Sequence, residues 1–182
     1  MFRKFTQEEN VSSSTLLKSS AQKAVRKQIL EQYPMIEPFM EDIIPKASAI
    51  NIAKCHNQIN FVVADEQPHF FTIHDGPYFP ILRLLHKYPH MLPKMQVDRG
   101  AVKFVMSGAH IMCPGLTSAG GKLDMSVKKG DVVAITVEGK EHALGLGIAA
   151  MSSEDIAKLN SGIAIENIHY LDDGLWKLPS LH

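Results

Sequence analysis

Hydrophobic residues near the start of the chain recur with the spacing of amphipathic helices. Ala21, Val25 and Ile29 are four residues apart, which predicts a helix that ends before Pro34. A second short helix is predicted for residues 36–44, because the segment is apolar and lies between two prolines. Helices therefore open the first half of the chain.

The pattern then changes to the alternation that is typical of strands. Residues 49–55, 58–64 and 69–73 are short, partly alternating and rich in Ile, Val and Phe. Asn57 and the Asp65-Glu66 pair supply the turns between them. These segments predict an antiparallel meander, which is followed by an apolar helix that begins near Pro80 and ends before Pro89.

Two segments of the first half have no clear period. Residues 1–18 are polar and rich in serine, so they form either a mobile tail or a strap on the first domain. Residues 88–93 contain two prolines, which makes them the best candidate for a domain boundary. We therefore predict an N-terminal domain of residues 1–90 and a C-terminal domain of residues 91–182.

The second half begins with a short predicted helix from Arg99 to Ser107. Asp98 provides the N-cap, and Gly108 ends the helix in a left-handed conformation. The predicted packing face of this helix consists of Ala101, Phe104 and Val105. The opposite, exposed face consists of Arg99, Lys103 and Ser107. The exposed face thus carries two cations beside the backbone of a glycine turn, a combination that suits a phosphate backbone.

The remaining residues predict a small barrel. A strand is expected around Ile111, and residues 131–137 and 142–148 form a predicted hairpin. Ser152 caps a helix that ends before Gly162, and residues 163–171 form the last strand. The predicted fold class is α+β: an N-terminal α/β subdomain with a small antiparallel sheet, followed by a closed or partly closed barrel.

The net charge excludes few classes of function, because the 19 basic and 19 acidic residues cancel. Counted along the chain, residues 1–28 and residues 94–129 each carry six basic and two acidic groups. In the first of these zones Lys23, Arg26 and Lys27 share a helix face. Such a face is either simply solvated or a contact for a phosphate-rich partner such as ribosomal RNA.

Motifs for catalysis and metal binding are not found. The spacing of the nine histidines matches no recognised metal-ligand motif, and Cys55 and Cys113 belong to no Cys-x-x-Cys pair. Gly145-Leu146-Gly147 lies in a strand pattern and lacks the third glycine of a dinucleotide fingerprint. No cofactor, metal or enzymatic activity is predicted, and Cys113 is interpreted as a small core residue.

The order of short motifs in the second half resembles the PUA domain, the RNA-binding module named after pseudouridine synthases and archaeosine transglycosylases. The first matching segments are Val97-Asp98, Gly100-Ala101, Phe104-Val105, Ser107-Gly108-Ala109 and Met112-Cys113-Pro114-Gly115-Leu116. Residues 129–133 are similar to the entry of the central strand of that domain, and residues 167–176 to its closing strand. The resemblance implies a PUA pseudo-barrel for the C-terminal domain.

The first half narrows the resemblance to one family. The segments MFRKF, Glu31-Gln32-Tyr33-Pro34, Gly76-Pro77-Tyr78-Phe79-Pro80 and residues 82–89 are similar to the malignant T-cell amplified sequence family. That family implies a cytoplasmic, non-enzymatic translation factor that pairs with density-regulated protein. The pair would bind the small ribosomal subunit and the tRNA acceptor end, promote re-initiation and initiator tRNA delivery, and help to release deacylated tRNA after termination. Since the chain ends at His182 without a fused partner domain, the partner is expected in trans.

The predicted site residues follow from the helix wheel, the glycine positions and the cationic zones. The RNA-binding residues are Arg99, Lys103, Ser107, Gly108, Ala109, His110, Gly115 and Lys122. The ribosome-binding residues are Lys23, Arg26 and Lys27. Two other functions stay open at this point: an RNA-binding accessory subunit of an RNA-modification enzyme, and an adaptor that binds only protein.

Overall fold

The computed structural model describes residues 1–182, and it divides into two compact units. One unit consists of residues 5–84 with residues 178–182, and the other of residues 1–4 with residues 85–177. Each end of the chain thus belongs to the unit formed mainly by the other half. The division into domains of residues 1–90 and 91–182 stays a prediction.

The unit built on residues 5–84 contains helices and one five-stranded sheet. The helices are α1 (Gln7–Asn10), α2 (Ser19–Gln32), a 3-10 helix (Pro34–Phe39), α3 (Met40–Ile43) and α4 (Leu82–Lys87), whose C-terminal residues belong to the second unit. The strands are β1 (Val11–Leu16), β2 (Ile50–Cys55), β3 (Ile59–Ala64), β4 (Gln67–Ile73) and β5 (Phe79–Pro80). They pair in the order β1-β2-β3-β4-β5, and every pair is antiparallel.

The predicted meander is confirmed, and its turns lie where the sequence placed them. Asp65 and Glu66, between β3 and β4, have φ values of 51° and 62°, as a tight hairpin turn requires. The buried residues of the strands include Phe61, Phe70 and Phe71, each with no measurable exposure. Burial of these aromatic side chains is the main contribution of the sheet to the core.

Of the two alternatives for residues 1–18, the mobile tail is excluded and the strap on the first domain is confirmed, because residues 11–16 pair with the sheet. Residues 11–16 form β1, which pairs with β2 along its whole length with one bulge near Val11. The strand escaped prediction because its sequence, VSSSTL, does not alternate, and residues 12–16 are all exposed. Phe5, which precedes it, is buried against Phe61 with ring centroids 5.5 Å apart.

The second unit contains the other sheet and several short helices. The strands are β6 (Lys94–Val97), β7 (Ile111–Met112), β8 (Val132–Val137), β9 (Gly145–Ala149) and β10 (Ile163–Tyr170). The helices are a 3-10 helix (Arg99–Ala101), α5 (Val102–Met106), α6 (Cys113–Thr117), α7 (Ser153–Leu159) and α8 (Gly174–Lys177). The strand order is β6-β8-β9-β10-β7, with β6 parallel to β8 and the other pairs antiparallel.

This sheet curls into a half-barrel, in agreement with the partly closed barrel that the α+β prediction placed in the second half of the chain. The hairpin β8-β9 is confirmed, and the hydroxyl of Ser152 accepts a hydrogen bond from the backbone N–H of Asp155 at the start of α7, as predicted. Asn160 ends α7 in a left-handed conformation with φ 47°, just before Gly162. In this unit the helices α6 and α8 were not predicted from the sequence, and in the other unit α1 was not.

Candidate nucleic-acid interface

The site is built around the turn of helix from Arg99 to Met106. The carboxylate of Asp98 accepts a hydrogen bond from the backbone N–H of Ala101 at 3.2 Å, so it caps the 3-10 turn that leads into α5. Gly108 follows the helix with φ +85°, and its Cα lies against the ring of Tyr170. A Cβ there would be 3.1 Å from that ring, so glycine is required by both the backbone and the packing.

Phe104 points outward, contrary to the predicted packing face. It is 56% exposed, whereas its neighbour Val105 is fully buried. The wheel failed because the segment begins as a 3-10 helix and only residues 102–106 are α-helical, so a constant 100° per residue does not apply. A large aromatic ring is therefore left on the surface beside the glycine turn.

Phe104 borders an apolar groove of about 720 Å³. The groove is lined by Asp98, Gly100, Ala101, Phe104, Val105, Ala109, His110, Ile111, Met112, Pro114, Gly115, Ser118 and Ile163. Met112 is 48% exposed and Ile163 is 40% exposed, so the two add apolar surface to that of Phe104. Exposed apolar surface gathered around a groove is typical of a binding site.

Asn167 of β10 fixes the turn that forms one side of the groove. Its side-chain amide donates to the carbonyl oxygens of Val105 and Ala109 at 3.2 and 3.1 Å, and its backbone N–H donates to Nδ1 of His110 at 3.1 Å. Because Nδ1 accepts this bond, the proton of the neutral imidazole lies on Nε2. His110 is thereby held in one orientation at the groove and keeps an N–H donor for a ligand.

None of the three predicted cations lines the groove, and Lys103 lies beside it. The ammonium nitrogen of Lys103 lies over the ring of Phe104, 5.1 Å from its centroid. The guanidinium of Arg99 lies next to Gly139 in the β8-β9 turn. Lys122 is exposed, and its backbone exchanges two hydrogen bonds of 2.9 Å with Gln96 of β6. The Lys103 ammonium therefore lies at the edge of the apolar groove, while Arg99 and Lys122 are exposed on the same unit.

The other predicted residues of this site have different environments. Ala109, His110 and Gly115 line the groove, as the sequence reasoning required for direct contact. Ser107 is exposed, and its hydroxyl donates to the carbonyl of Phe104 at 2.8 Å. The structure thus brings Gly115, in α6, close to the turn after α5, although the two are in different helices.

Sequence reasoning missed the apolar residues that give the groove its character. Phe104 was assigned to the packing face, Met112 was not included among the site residues, and Ile163 lies far from the others along the chain. Ile163 reaches the groove because β10 pairs with β7, in the register Ile163 to Met112.

Cys113 is a core residue, as predicted. It is fully buried in α6, and its thiol donates to the carbonyl of Ser161 at 3.3 Å. Burial raises the pKa of this thiol, which disfavours the thiolate that a nucleophile requires.

The second predicted surface lies on α2. Lys23 and Lys27 are exposed, and Lys27 forms a 3.8 Å ion pair with Glu31. Arg26 is half-buried, and its guanidinium donates to the carbonyl oxygens of Ile44, Pro45 and Ser48, the latter two at 2.7 and 3.3 Å. Arg26 therefore ties the helix to the turn after α3, while the two lysines stay available on the surface.

Comparison with known proteins decides the family. A model of the Pre-PUA-like domain matches residues 5–89, and a model of the PUA domain matches residues 93–171. A relative from Xenopus laevis, malignant T-cell-amplified sequence 1-A, is 51% identical over 180 residues, which are 99% of each chain. The chain belongs to the malignant T-cell-amplified sequence family. The resemblance stated from the motifs is confirmed.

Relatives from distant organisms match this chain over nearly its whole length. Human malignant T-cell-amplified sequence 2 is 51% identical over 99% of each chain, and the homologue from Dictyostelium discoideum is 45% identical over 100% of each. A hypothetical protein from Pyrococcus horikoshii shares the fold, with a TM-score of 0.71, 24% identity and coverage of 91% and 98% of the two chains. No helix in the structure has the length and hydropathy that crossing a bilayer requires.

Proposed function

We propose that this member of the malignant T-cell-amplified sequence family is a non-enzymatic, cytoplasmic translation factor. Together with density-regulated protein it binds the small ribosomal subunit and tRNA, and it promotes re-initiation, delivery of initiator tRNA and release of deacylated tRNA after termination. The PUA domain and the family support an RNA-binding role connected with translation.

The observation that carries the RNA-binding proposal is the apolar groove with the Lys103 ammonium at its edge. Nucleotides combine a flat apolar base with a charged phosphate, so a site for unpaired RNA needs both kinds of surface. Phe104 and Met112 offer the apolar surface, and Arg99, Lys103 and Lys122 offer the charges. This division favours the unpaired acceptor end of tRNA, whose bases are free to enter a groove.

Each group has a distinct part in this proposal. Unpaired bases stack on Phe104 and Met112, while Nε2–H of His110 donates to a base or ribose acceptor. The backbone at Gly115 lets a nucleotide approach closely, because nothing projects from its Cα into the groove. Lys103 and Arg99 contact phosphates, and their contribution to affinity falls as the salt concentration rises.

Replacing both Arg99 and Lys103 by Ala tests the electrostatic part. We expect weaker tRNA binding and a shallower salt dependence, because each lost phosphate contact removes about one unit of log–log slope. The measurement is the dissociation constant for tRNA at several salt concentrations. Stability changes little, since both side chains are exposed.

The matched control for this variant replaces Lys128 and Lys129 by Ala. This pair removes the same charge from exposed positions that do not line the groove. If Arg99 and Lys103 make the phosphate contacts, the control variant keeps the wild-type salt dependence of tRNA binding. Equal slopes for the wild type and the Arg99/Lys103 variant would contradict the assignment.

The proposed ribosome contact is tested at Lys23 and Lys27. Replacing both lysines by Glu weakens binding to the small ribosomal subunit and leaves tRNA binding to the groove unchanged. Arg26 is kept, because its three hydrogen bonds hold the fold and reversing its charge would confuse contact with stability. The measurement is co-sedimentation with purified small subunits.

Two further measurements distinguish the alternatives for this surface. The control variant, used for ribosome binding alone, reverses Lys18 and Lys54, two exposed lysines of the same unit. Loss of binding to density-regulated protein, with ribosome binding intact, would assign the α2 lysines to the partner. Loss of neither would leave the face merely solvated.

A further inference from the structure

Three of the four sheet edges in this molecule are short or covered. The edge strands β5 and β7 each have only two residues, and β5 contains Pro80. The outer side of β6 is paired through Gln96, which exchanges two backbone hydrogen bonds with Lys122. Short strands, proline and added pairing are the usual ways in which proteins prevent edges from recruiting other chains.

The fourth edge, β1, has none of these protections. It is six residues long, and its sequence VSSSTL contains neither a charged residue nor a proline. Residues 12–16 are exposed, and Leu16 is 63% exposed. An extended strand with an open, uncharged edge is a template for another strand.

The register identifies the backbone groups that are available at this edge. The backbone N–H of Leu17 donates to the carbonyl of Ile50 in β2. Thr15 pairs with Ile52 in the same register, so Thr15 also directs its backbone groups toward β2. Since backbone groups of successive residues point to opposite sides of a strand, Ser14 and Leu16 direct their N–H and C=O groups away from β2. They offer two donors and two acceptors to an added strand.

We infer that β1 is a docking edge for an extended segment of a partner polypeptide, which adds a sixth strand to the sheet. The inference rests on the proposed heterodimer and names the surface that binds the partner. The segment is bound through its backbone, and an apolar side chain next to Leu16 adds contact. Since the strand itself carries no charge, this contact is insensitive to salt, unlike the RNA site.

The dimensions favour an extended segment over a second copy of this chain. Six residues of strand span about 20 Å, and the strand consists chiefly of small serine and threonine side chains. A stable interface between two folded copies buries at least about 1,200 Å² in total, which an edge of this size does not supply. A flexible segment can pair here and bury more surface with its flanking residues.

Ser14→Pro is the sharpest test, because it removes one outward N–H and no hydrogen bond to β2. Proline is tolerated at the solvent side of an edge strand, and its ring blocks the approach of another strand. We expect binding to density-regulated protein to weaken by about tenfold or more, with an unchanged melting temperature. Ser14→Ala keeps the N–H, so it binds like the wild type.

Amide hydrogen exchange provides a second measurement that needs no variant. Exchange at Ser14 and Leu16 slows when the partner binds to the wild type, and slowing at both positions supports the inference. Equal affinities of the wild type and Ser14→Pro, with no slowing, would overturn it and leave the heterodimer intact. No binding by the wild type overturns the heterodimer itself. Self-association of the chain that Ser14→Pro abolishes would assign the edge to a second copy and overturn the inference.

Discussion

Replacing Gly147 by Ala lowers the free energy of unfolding by about 3 kcal/mol or more. A Cβ at this position would lie 2.0 Å from the carbonyl oxygen of Glu166 and 2.9 Å from Cγ2 of Ile165. The first of these atoms belongs to the backbone of β10, which pairs with β9 and is fixed by the ladder. The two strands must separate, so the hydrogen bonds of the ladder weaken along with the packing.

The matched control is Gly115→Ala, which adds the same methyl group to the same unit. The nearest atom to a Cβ at Gly115 is Cγ2 of Ile111 at 3.9 Å, an ordinary van der Waals contact. Since Gly115 lies in α6, alanine is expected to stabilise by up to about 1 kcal/mol. Chemical denaturation of both variants is the measurement, and equal unfolding free energies would contradict the close approach of β9 and β10.

Replacing Phe104 and Met112 together by Ser lowers the affinity for tRNA by at least about tenfold. Stacking of a base on an aromatic side chain contributes about 1–3 kcal/mol, and both residues offer exposed apolar surface to the groove. The salt dependence of binding stays at its wild-type value, because no charge is removed. The unchanged salt dependence distinguishes this variant from the Arg99/Lys103 double Ala variant, whose salt dependence becomes shallower.

The control for the groove variant is Leu159→Ser. Leu159 is 59% exposed in the same unit and does not line the groove, so it tests the general effect of removing surface apolar groups. It is expected to bind tRNA like the wild type. Loss of affinity of the same size in both variants would show that the groove is not the site of the bases.

The elements with a clear period were predictable, and the others were not. Ile29 and its spaced neighbours predicted α2, and the alternation around Phe61 predicted the meander. β1 escaped because an edge strand with no buried face needs no alternation. α6 escaped because Pro114 and Gly115 normally indicate a turn, although proline is well suited to the first turn of a helix.

The candidate site was predictable in its charges and backbone but not in its apolar part. Asp98 and Gly108 identified the ends of the helix because caps are local signals. The groove depends on Ile163, which arrives through strand pairing, and on Phe104, whose direction depends on the 3-10 turn before it. Neither the position of Ile163 nor the direction of Phe104 can be predicted from local sequence, because strand pairing and helix type determine them.

The central claim is that the groove holds the unpaired 3′ end of tRNA. The most direct measurement is the affinity of wild type and the Phe104/Met112 double Ser variant for intact tRNA and for tRNA lacking its unpaired 3′ nucleotides. We predict that removing the 3′ end weakens the wild type by about tenfold and leaves the variant almost unchanged, so that the two changes are strongly non-additive. Independent, additive losses would contradict the claim, because the groove and the 3′ end would then not contact each other.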